Sequence, residues 1–325
     1  RALRDRYAAS AGDGLSVGSA LTETLHRIEF ACADEGSLPK LSVIIPSKDS
    51  FELIERVLGD LFEKTDYPDI EVIIVDNGST DPRVLDLYDR YREARPGFQA
   101  LVTEEKFNFA RAINRGMQAA TGEHLLILNN DIEVTNGAWL REMVGCLNYA
   151  DVGIVGAKLL YPNDKIQHAG VVAGFGGLAG HWYLNKPKDF GGPMNRLHVR
   201  NSMTCVTGAA MLISNACAKA VGPWDEENFA VAYNDVDYCL RAYKAGFRSV
   251  WTPFACLYHH ESVSRGSDMI GERKRRFERE KENLRRIHAT TVFEDPALNP
   301  GYEKRHSTPA MEAPRLLAKP RTWWP

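Results

Sequence analysis

The chain has 325 residues, 26% of them charged and 44% hydrophobic, with a formal net charge of -3. That length can bury a sizeable core, as one large domain or one domain with appendages, and the charge balance gives no global case for nucleic-acid binding. No apolar run approaches the ~20 residues of a membrane span, and the first residues show no signal-peptide pattern. The chain starts at Arg1 rather than Met, which implies a piece of something longer. Six cysteines (Cys32, Cys146, Cys205, Cys217, Cys239 and Cys256) are scattered without a CxxC pair. They read as small buried hydrophobes in a reducing cytosol, not as a zinc site.

Residues 1–39 are mixed: Leu21 to Cys32 suggests a short helix, and Gly36-Ser37-Leu38-Pro39 reads as a linker. Order begins at Leu41-Ser42-Val43-Ile44-Ile45-Pro46, a β-branched run closed by proline. Ser47 and Ser50 flank an amphipathic helix carrying Leu53, Ile54, Val57, Leu58, Leu61 and Phe62. A second strand, Ile70 to Val75, ends in Asp76-Asn77-Gly78-Ser79-Thr80-Asp81, and a helix with Val84, Leu85, Leu87 and Tyr88 follows. A third strand near Ala100-Leu101-Val102 precedes a helix from Phe109 to Ala120, which Gly122 stops. Then comes Leu125-Leu126-Ile127-Leu128, a strand buried on both faces, closed abruptly by Asn129-Asn130-Asp131. Strands and helices alternating with short connections predict parallel βαβ units. Right-handed crossovers then place Pro46, Asp76 and Asn129 to Asp131 along one sheet edge.

The second half is less regular. Val152 to Leu160 and Ile166 to Ala173 read as strands, Gly174 to Gly180 as a flexible glycine-rich loop, and Met203 to Ile213 as a strand broken at Gly208. A helix starts at Asp235 or Asp237 and ends at Gly246. A last strand, Arg248 to Thr252, leads through Pro253 to His259-His260-Glu261-Ser262. Glu272 to Arg286 is crowded with charge and reads as a solvated helix, with lipid or polyanion binding as the alternative. From Asp295 the proline-rich tail reads as extended.

Polar clusters punctuate four predicted strand or helix ends: Asp76, Asn129 to Asp131, Asn234 to Asp237, and His259-His260. A hard divalent cation prefers carboxylate oxygens and tolerates imidazole, so Asp131 and a histidine suit Mg²⁺ or Mn²⁺ with positions left for phosphate oxygens. Each cluster alone is equally consistent with helix capping or a satisfied core histidine. Together, at sheet-edge positions where α/β proteins bind ligands, they point to chemistry.

The order Leu41–Pro46, Val75 to Asp81, Leu128 to Asp131, Asn234-Asp235-Val236-Asp237 and His259 to Ser262 resembles family 2 glycosyltransferases of the GT-A fold. Phe229 to Arg241 and Tyr258 to Gly266 resemble the branch seen in bacterial O-antigen and rhamnan assembly proteins. The resemblance implies an α/β fold: a mostly parallel open sheet with a Rossmann-like nucleotide-binding half, a smaller mixed acceptor half and a C-terminal helical extension. The domain limits it suggests are 1–39, 40–266 and 267–325. It further implies that Asp76 meets the base or ribose, with Pro46 and Ser47 lining that pocket. Asp131 takes the metal-binding place of the DXD motif, whose first acid is replaced here by Asn129 or Asn130. Asp235 matches the general base, and Asp237 braces its helix. His259 matches the metal-ligating histidine by its distance from Ser264, with His260 in reserve. Arg111 and Asn114 match positions facing the nucleotide sugar, and Arg265 is placed to clamp the pyrophosphate. The implied activity is inverting transfer from a nucleoside-diphosphate sugar, dTDP-rhamnose first and UDP- or GDP-sugars next. The implied acceptor is a polysaccharide or lipid-linked glycan at the inner face of the cytoplasmic membrane. That acceptor would be reached through another domain, a partner or the basic helix.

Three other readings compete. Gly174-Phe175-Gly176-Gly177-Leu178-Ala179 fits the GxGxxA dinucleotide fingerprint but sits far from the first βα turn, with no clear helix after it. A nucleotidyltransferase would need glycines in a phosphate loop, which Pro46-Ser47-Lys48-Asp49 lacks. A catalytically silent module that binds sugar nucleotide or glycan is favoured only by the two asparagines. His181, Trp182 and Tyr183 offer stacking for a sugar, or simply packing.

Overall fold

The structure, a computed structural model, describes residues 15–30, 38–260 and 271–304. The first of these segments forms a hairpin of β1 (Leu15–Ser19) and β2 (His26–Phe30). This corrects the helix expected over Leu21 to Cys32: from Arg27 to Phe30 charged and apolar residues alternate, and that period of two suits a strand. The hairpin is docked through Glu142, whose Oε2 accepts from Arg27 Nη2 at 2.8 Å and from Arg200 Nη2 at 2.6 Å. Burial alone would raise the Glu142 carboxyl; the Arg200 guanidinium outweighs it and holds it below the usual carboxylate range.

The central sheet has ten strands. Its first half is parallel: β3 (Leu41–Ser47), β4 (Ile70–Asp76), β5 (Phe98–Val102) and β6 (His124–Leu128) lie in the order β6-β3-β4-β5. These strands are covered on both faces, so alternate residues enter different cores. Ile44, Ile73 and Ile127 pack on one side, and Val43, Ile45, Val72, Ile74 and Leu126 on the other. The crossovers are α1 (Phe51–Gly59, continued by a π turn over Asp60–Lys64), α2 (Pro82–Ala94) and α3 (Phe109–Ala119). Asp81 caps α2 and Asn108 caps α3 by accepting from backbone N–H groups within the first turn. Inside α3, Gly116 lets the helix lie close to β3, since a Cβ there would sit 2.2 Å from Ile44 Cγ2.

The second half is mixed. After β7 (Ile132–Val134) and α4 (Trp139–Cys146) come β8 (Val152–Leu160), β9 (Ile166–His168), β10 (Val171–Ala173), β11 (Ala179–His181), β12 (Asn201–Met203) and β13 (Ala210–Ile213). Two helices, α5 (Asn215–Val221) and α6 (Asn234–Lys244), precede β14 (Arg248–His259). The order β12-β14-β8-β13 joins the parallel half through an antiparallel β13–β6 pair, while β7 pairs with β14 and β9 with β8. The strand expected over Ile166 to Ala173 is two strands, divided at Gly170 with φ 97°. The one expected to stop at Thr252 instead runs to His259, because a register shift between Thr252 and Cys256 absorbs Pro253.

The segment 271–304 packs into the same core. In α7 (Gly271–His288) Leu284 is fully buried, as are Thr290 and Asp295 beyond it. Glu280 accepts from Val231 N and Ala232 N, and Phe277 stacks on Tyr233. The solvated-helix reading therefore holds only for the outer face of α7. The glycine-rich stretch is held, contrary to the flexible loop expected there: Gly176 N donates to Lys304 O and Thr290 Oγ1 to Gly177 O, each at 2.8 Å. The segment covers the loop's polar backbone, leaving no open phosphate cradle.

Candidate active site

The sheet edge beyond β3, β4 and β6 collects the candidate residues. Pairing of Ser47 with Asp76 and of Ile44 with Ile127 places these strand ends together. Because β13 runs antiparallel to β6, its first residues meet the end of β6, and Asn129 N donates to Ala209 O at 2.9 Å. Gly208, one residue earlier, donates its N–H to Asp235 Oδ2 at 3.0 Å, which fixes the first turn of α6 at the same edge. From the other side, β14 ends against β7, with His259 opposite Ile132.

Asp131 and His259 meet there. Asp131 Oδ1 lies 3.0 Å from His259 Nε2, with the residues 6% and 8% exposed. The ring is oriented by Gln167, whose Oε1 lies 2.6 Å from Nδ1. A carbonyl oxygen only accepts, so Nδ1 carries a proton and Nε2 is the nitrogen turned to Asp131, with Asn129 Nδ2 3.2 Å away. A carboxylate oxygen and an imidazole nitrogen held together, with a carbonyl behind the ring, are groups that could hold a divalent cation. Among the described residues no group of three or more His, Cys, Asp or Glu side chains forms a metal cluster. Were a cation held there, two protein donors would leave room for water and phosphate oxygens.

The triplet at the end of β6 points three ways. Asn129 reaches His259, Asp131 faces the same nitrogen, and Asn130 donates to Ser47 Oγ at 3.1 Å. His260 is turned elsewhere, with Nε2 2.7 Å from Glu133 Oε2. Asp237 braces α6 against α7, accepting from Arg241 Nε at 2.9 Å, with His288 Nε2 2.8 Å from its other oxygen.

Pro46, Ser47, Asp76, Asn77, Glu105 and Phe107 line a cleft beside this pair. Asp76 is buried under it rather than projecting into it: Oδ1 accepts from Ser79 N, and Oδ2 from Ser79 Oγ and Tyr88 OH. Burial and the Asp76 charge push the Tyr88 hydroxyl upward, which keeps it a donor. Arg111 and Asn114 are not brought to Asp131. Asn114 pairs with both backbone groups of Trp224 and donates to Glu226, and Arg111 Nε also donates to Glu226 at 2.8 Å. Arg265 lies outside the described residues. Sequence reasoning missed Gln167 and Glu226. Gln167-His168, polar inside an apolar strand, was the available signal for the first; Glu226 sits in an acidic run that reads as solvated surface.

A doubly covered parallel half, joined to a mixed half that delivers a carboxylate and a histidine to one edge, is the GT-A architecture. Residues 42–219, more than half of the chain, match the family model described as glycosyl transferase family 2, and the chain belongs to that family. The y4gI protein of Sinorhizobium fredii is 36% identical over 97% of this chain and 34% of its own length. O-antigen biosynthesis protein RfbC of Myxococcus xanthus is 37% identical over 72% of this chain and 18% of its own length. The chain thus spans about a third or less of these two relatives. An N-acetylglucosaminyl-diphospho-decaprenol L-rhamnosyltransferase of Mycobacterium tuberculosis is 25% identical over 66% of this chain and 74% of its own length. Among solved structures, mannosyltransferase PcManGT from Pyrobaculum calidifontis, in complex with GDP-Man and Mn²⁺, shares the fold. Its TM-score is 0.53 at 20% identity, covering 81% of this chain and 65% of that one. GalNAc-T7 with UDP, GalNAc and Mn²⁺ gives 0.57 at 15% identity, covering 70% and 45%.

Proposed function

We propose that this chain is an inverting, metal-dependent glycosyltransferase that moves a sugar from a nucleoside-diphosphate donor to a growing bacterial surface polysaccharide or lipid-linked glycan. The observation that carries the reading is the Asp131–His259 pair at the sheet edge that also holds Asp235 through Gly208. The rhamnosyltransferase among its relatives supports rhamnose as the first donor sugar to test, and the O-antigen protein supports a surface polysaccharide as acceptor. Asp131 and His259 would hold Mn²⁺ or Mg²⁺, which, when bound, neutralises charge developing on the leaving diphosphate. The Pro46–Asp76 cleft binds and orients the nucleotide. Asp235 takes the proton of the acceptor hydroxyl as its oxygen attacks the anomeric carbon from the face opposite the leaving group. One displacement inverts the anomeric configuration. Gly208 N–H on Oδ2 and Val236 N–H on Oδ1, at 3.0 and 2.8 Å, keep that carboxylate aimed.

No helix among the described residues is long and apolar enough to cross a membrane. A membrane-bound acceptor at the inner face would be met through another domain, a partner or the basic outer face of α7. Asn129 and Asn130 in place of acids favour a second reading, a silent module that binds sugar nucleotide or glycan. Release of nucleoside diphosphate with and without acceptor separates the two. Under the catalytic reading Asp235→Asn lowers transfer by roughly 10²–10⁴-fold while donor affinity is unchanged; wild-type turnover in that variant would remove Asp235 from the mechanism.

A further inference from the structure

We infer that Glu280 is a positioning residue for Asp235: through the turn 228–233, helix α7 sets where the carboxylate that activates the acceptor stands. This rests on the glycosyl-transfer reading and gives the C-terminal helix a part in it.

Asp235 lies in the first turn of α6, and Tyr233, in front of that helix, gives it no side-chain cap. The chain enters the helix through a left-handed residue instead, since Tyr233 has φ 59° and ψ 10°. A residue with a side chain keeps that conformation only where its surroundings hold it. Any rotation at Tyr233 redirects the first turn, and Asp235 is two residues on. Gly208 passes close on the far side: a Cβ there would sit 3.4 Å from Asp235 Cβ. A small swing of the turn therefore decides whether Oδ2 stays on Gly208 N.

What holds the turn comes from α7, point after point. Phe277 stacks on Tyr233, with centroids 5.9 Å apart and planes at 18°. Glu280 sets one oxygen on each of two adjacent backbone donors, Oε1 on Val231 N at 3.1 Å and Oε2 on Ala232 N at 3.0 Å. Asn283 Nδ2 donates to Asn228 O at 3.0 Å. Residues three apart share a helix face, so one face of α7 follows the turn from 233 back to 228. His288 Nε2, 2.8 Å from Asp237 Oδ1, fastens the same two helices within the first turn of α6. Glu280 is only 2% exposed, with Arg276 Nε 3.7 Å from its Oε2 to balance the charge. A buried carboxylate is a costly way to fill space. An apolar side chain would fill the same place and leave two N–H groups of the turn without acceptors.

The test measures nucleoside diphosphate release from UDP-glucose, GDP-mannose and dTDP-rhamnose with Mn²⁺, and affinity for the matching nucleoside diphosphate by titration calorimetry. Glu280→Leu is expected to lower kcat by roughly 10–100-fold with that affinity unchanged, which also reports that the variant is folded. Glu280→Gln, which keeps one accepting oxygen, should lose less. In an Asp235→Asn background Glu280→Leu should cost nothing further, because it acts only through the carboxylate already removed; a merely structural role would multiply the two losses. Hydrogen exchange gives a readout independent of turnover. In Glu280→Leu the Gly208 and Val236 amides, which donate to Asp235, should exchange faster, and those of β3 and β6 should not. Multiplied losses, wild-type kcat in Glu280→Leu, or unchanged exchange at both amides overturns the positioning role. A wild type that releases no nucleoside diphosphate from any of the three donors, while both amides loosen in the variant, overturns instead the glycosyl-transfer reading beneath it.

Discussion

A carboxylate oxygen and an imidazole nitrogen 3.0 Å apart call for a proton or a cation between them, and the fold holds Asp131 and His259 that way. Gln167 is what fixes the ring, so Gln167→Leu is expected to weaken Mn²⁺-dependent nucleotide affinity by about 10–100-fold without changing metal-free nucleotide affinity, both read by calorimetry. Asp131 and His259 were legible because each closes an apolar strand with a side chain that strand packing cannot use. Gln167 was not, since its partner is 92 residues away and the two meet only once β8 has paired with β9 on one side and β14 on the other. At the opposite sheet edge Glu71 shows a purely structural carboxylate. Burial alone would raise it, but the Ser42 and Thr121 hydroxyls, Thr121 N–H and Lys40 hold it at about 2. Its folded value lies below its unfolded one, so its stabilisation is complete above pH ~4.5 and is lost as pH falls toward 2. Glu71→Gln should cost on the order of 2 kcal/mol at neutral pH, with the gap to wild type closing below pH ~4.5 in denaturant titrations.

Among the elements, the parallel crossovers could be read from the chain because each helix carries an apolar stripe, and Asp81 and Asn108 cap the second and third of them. The hairpin β1–β2, the length of β14 and the role of α7 could not. A strand that continues through Pro253 depends on a register shift supplied by β8, and a helix as charged as α7 shows its few buried points only against a surface. Leu284 is such a point, fully buried as part of a core cluster that both halves share. Leu284→Ala is expected to destabilise the protein by about 2–5 kcal/mol in equilibrium unfolding, a core cost and not that of a solvated helix.

At the level of the whole molecule, the ten-stranded sheet binds two halves of different character. The parallel half grows from local βαβ units. The mixed half requires Leu128 to meet Ala210 and Val152 to meet Arg248, pairings that periodicity cannot reveal and that raise the contact order of the fold. That is why the strand ends of the parallel half could be read from the chain, while the contact of Gln167 with His259 in the mixed half could not. Since the proposed ligands come from both halves, a bound donor should tighten the molecule as one body. A matching sugar nucleotide with Mn²⁺ at 100 times its dissociation constant should add about 2.7 kcal/mol of stability in thermal or denaturant unfolding, and a chelator should abolish most of that gain.

The asparagines at the end of β6 have a consequence for the order of events. A divalent cation between one carboxylate and one neutral imidazole keeps a net single positive charge, two from the cation less one from Asp131. Two carboxylates would have cancelled it. Such a site grips a solitary cation weakly and an anionic diphosphate carrying its own cation strongly, because the uncancelled charge is there to meet the phosphates. Under the proposed chemistry, Asp131 and His259 would receive cation and nucleotide together as one species and release them together, so the protein would spend the interval between turnovers without either.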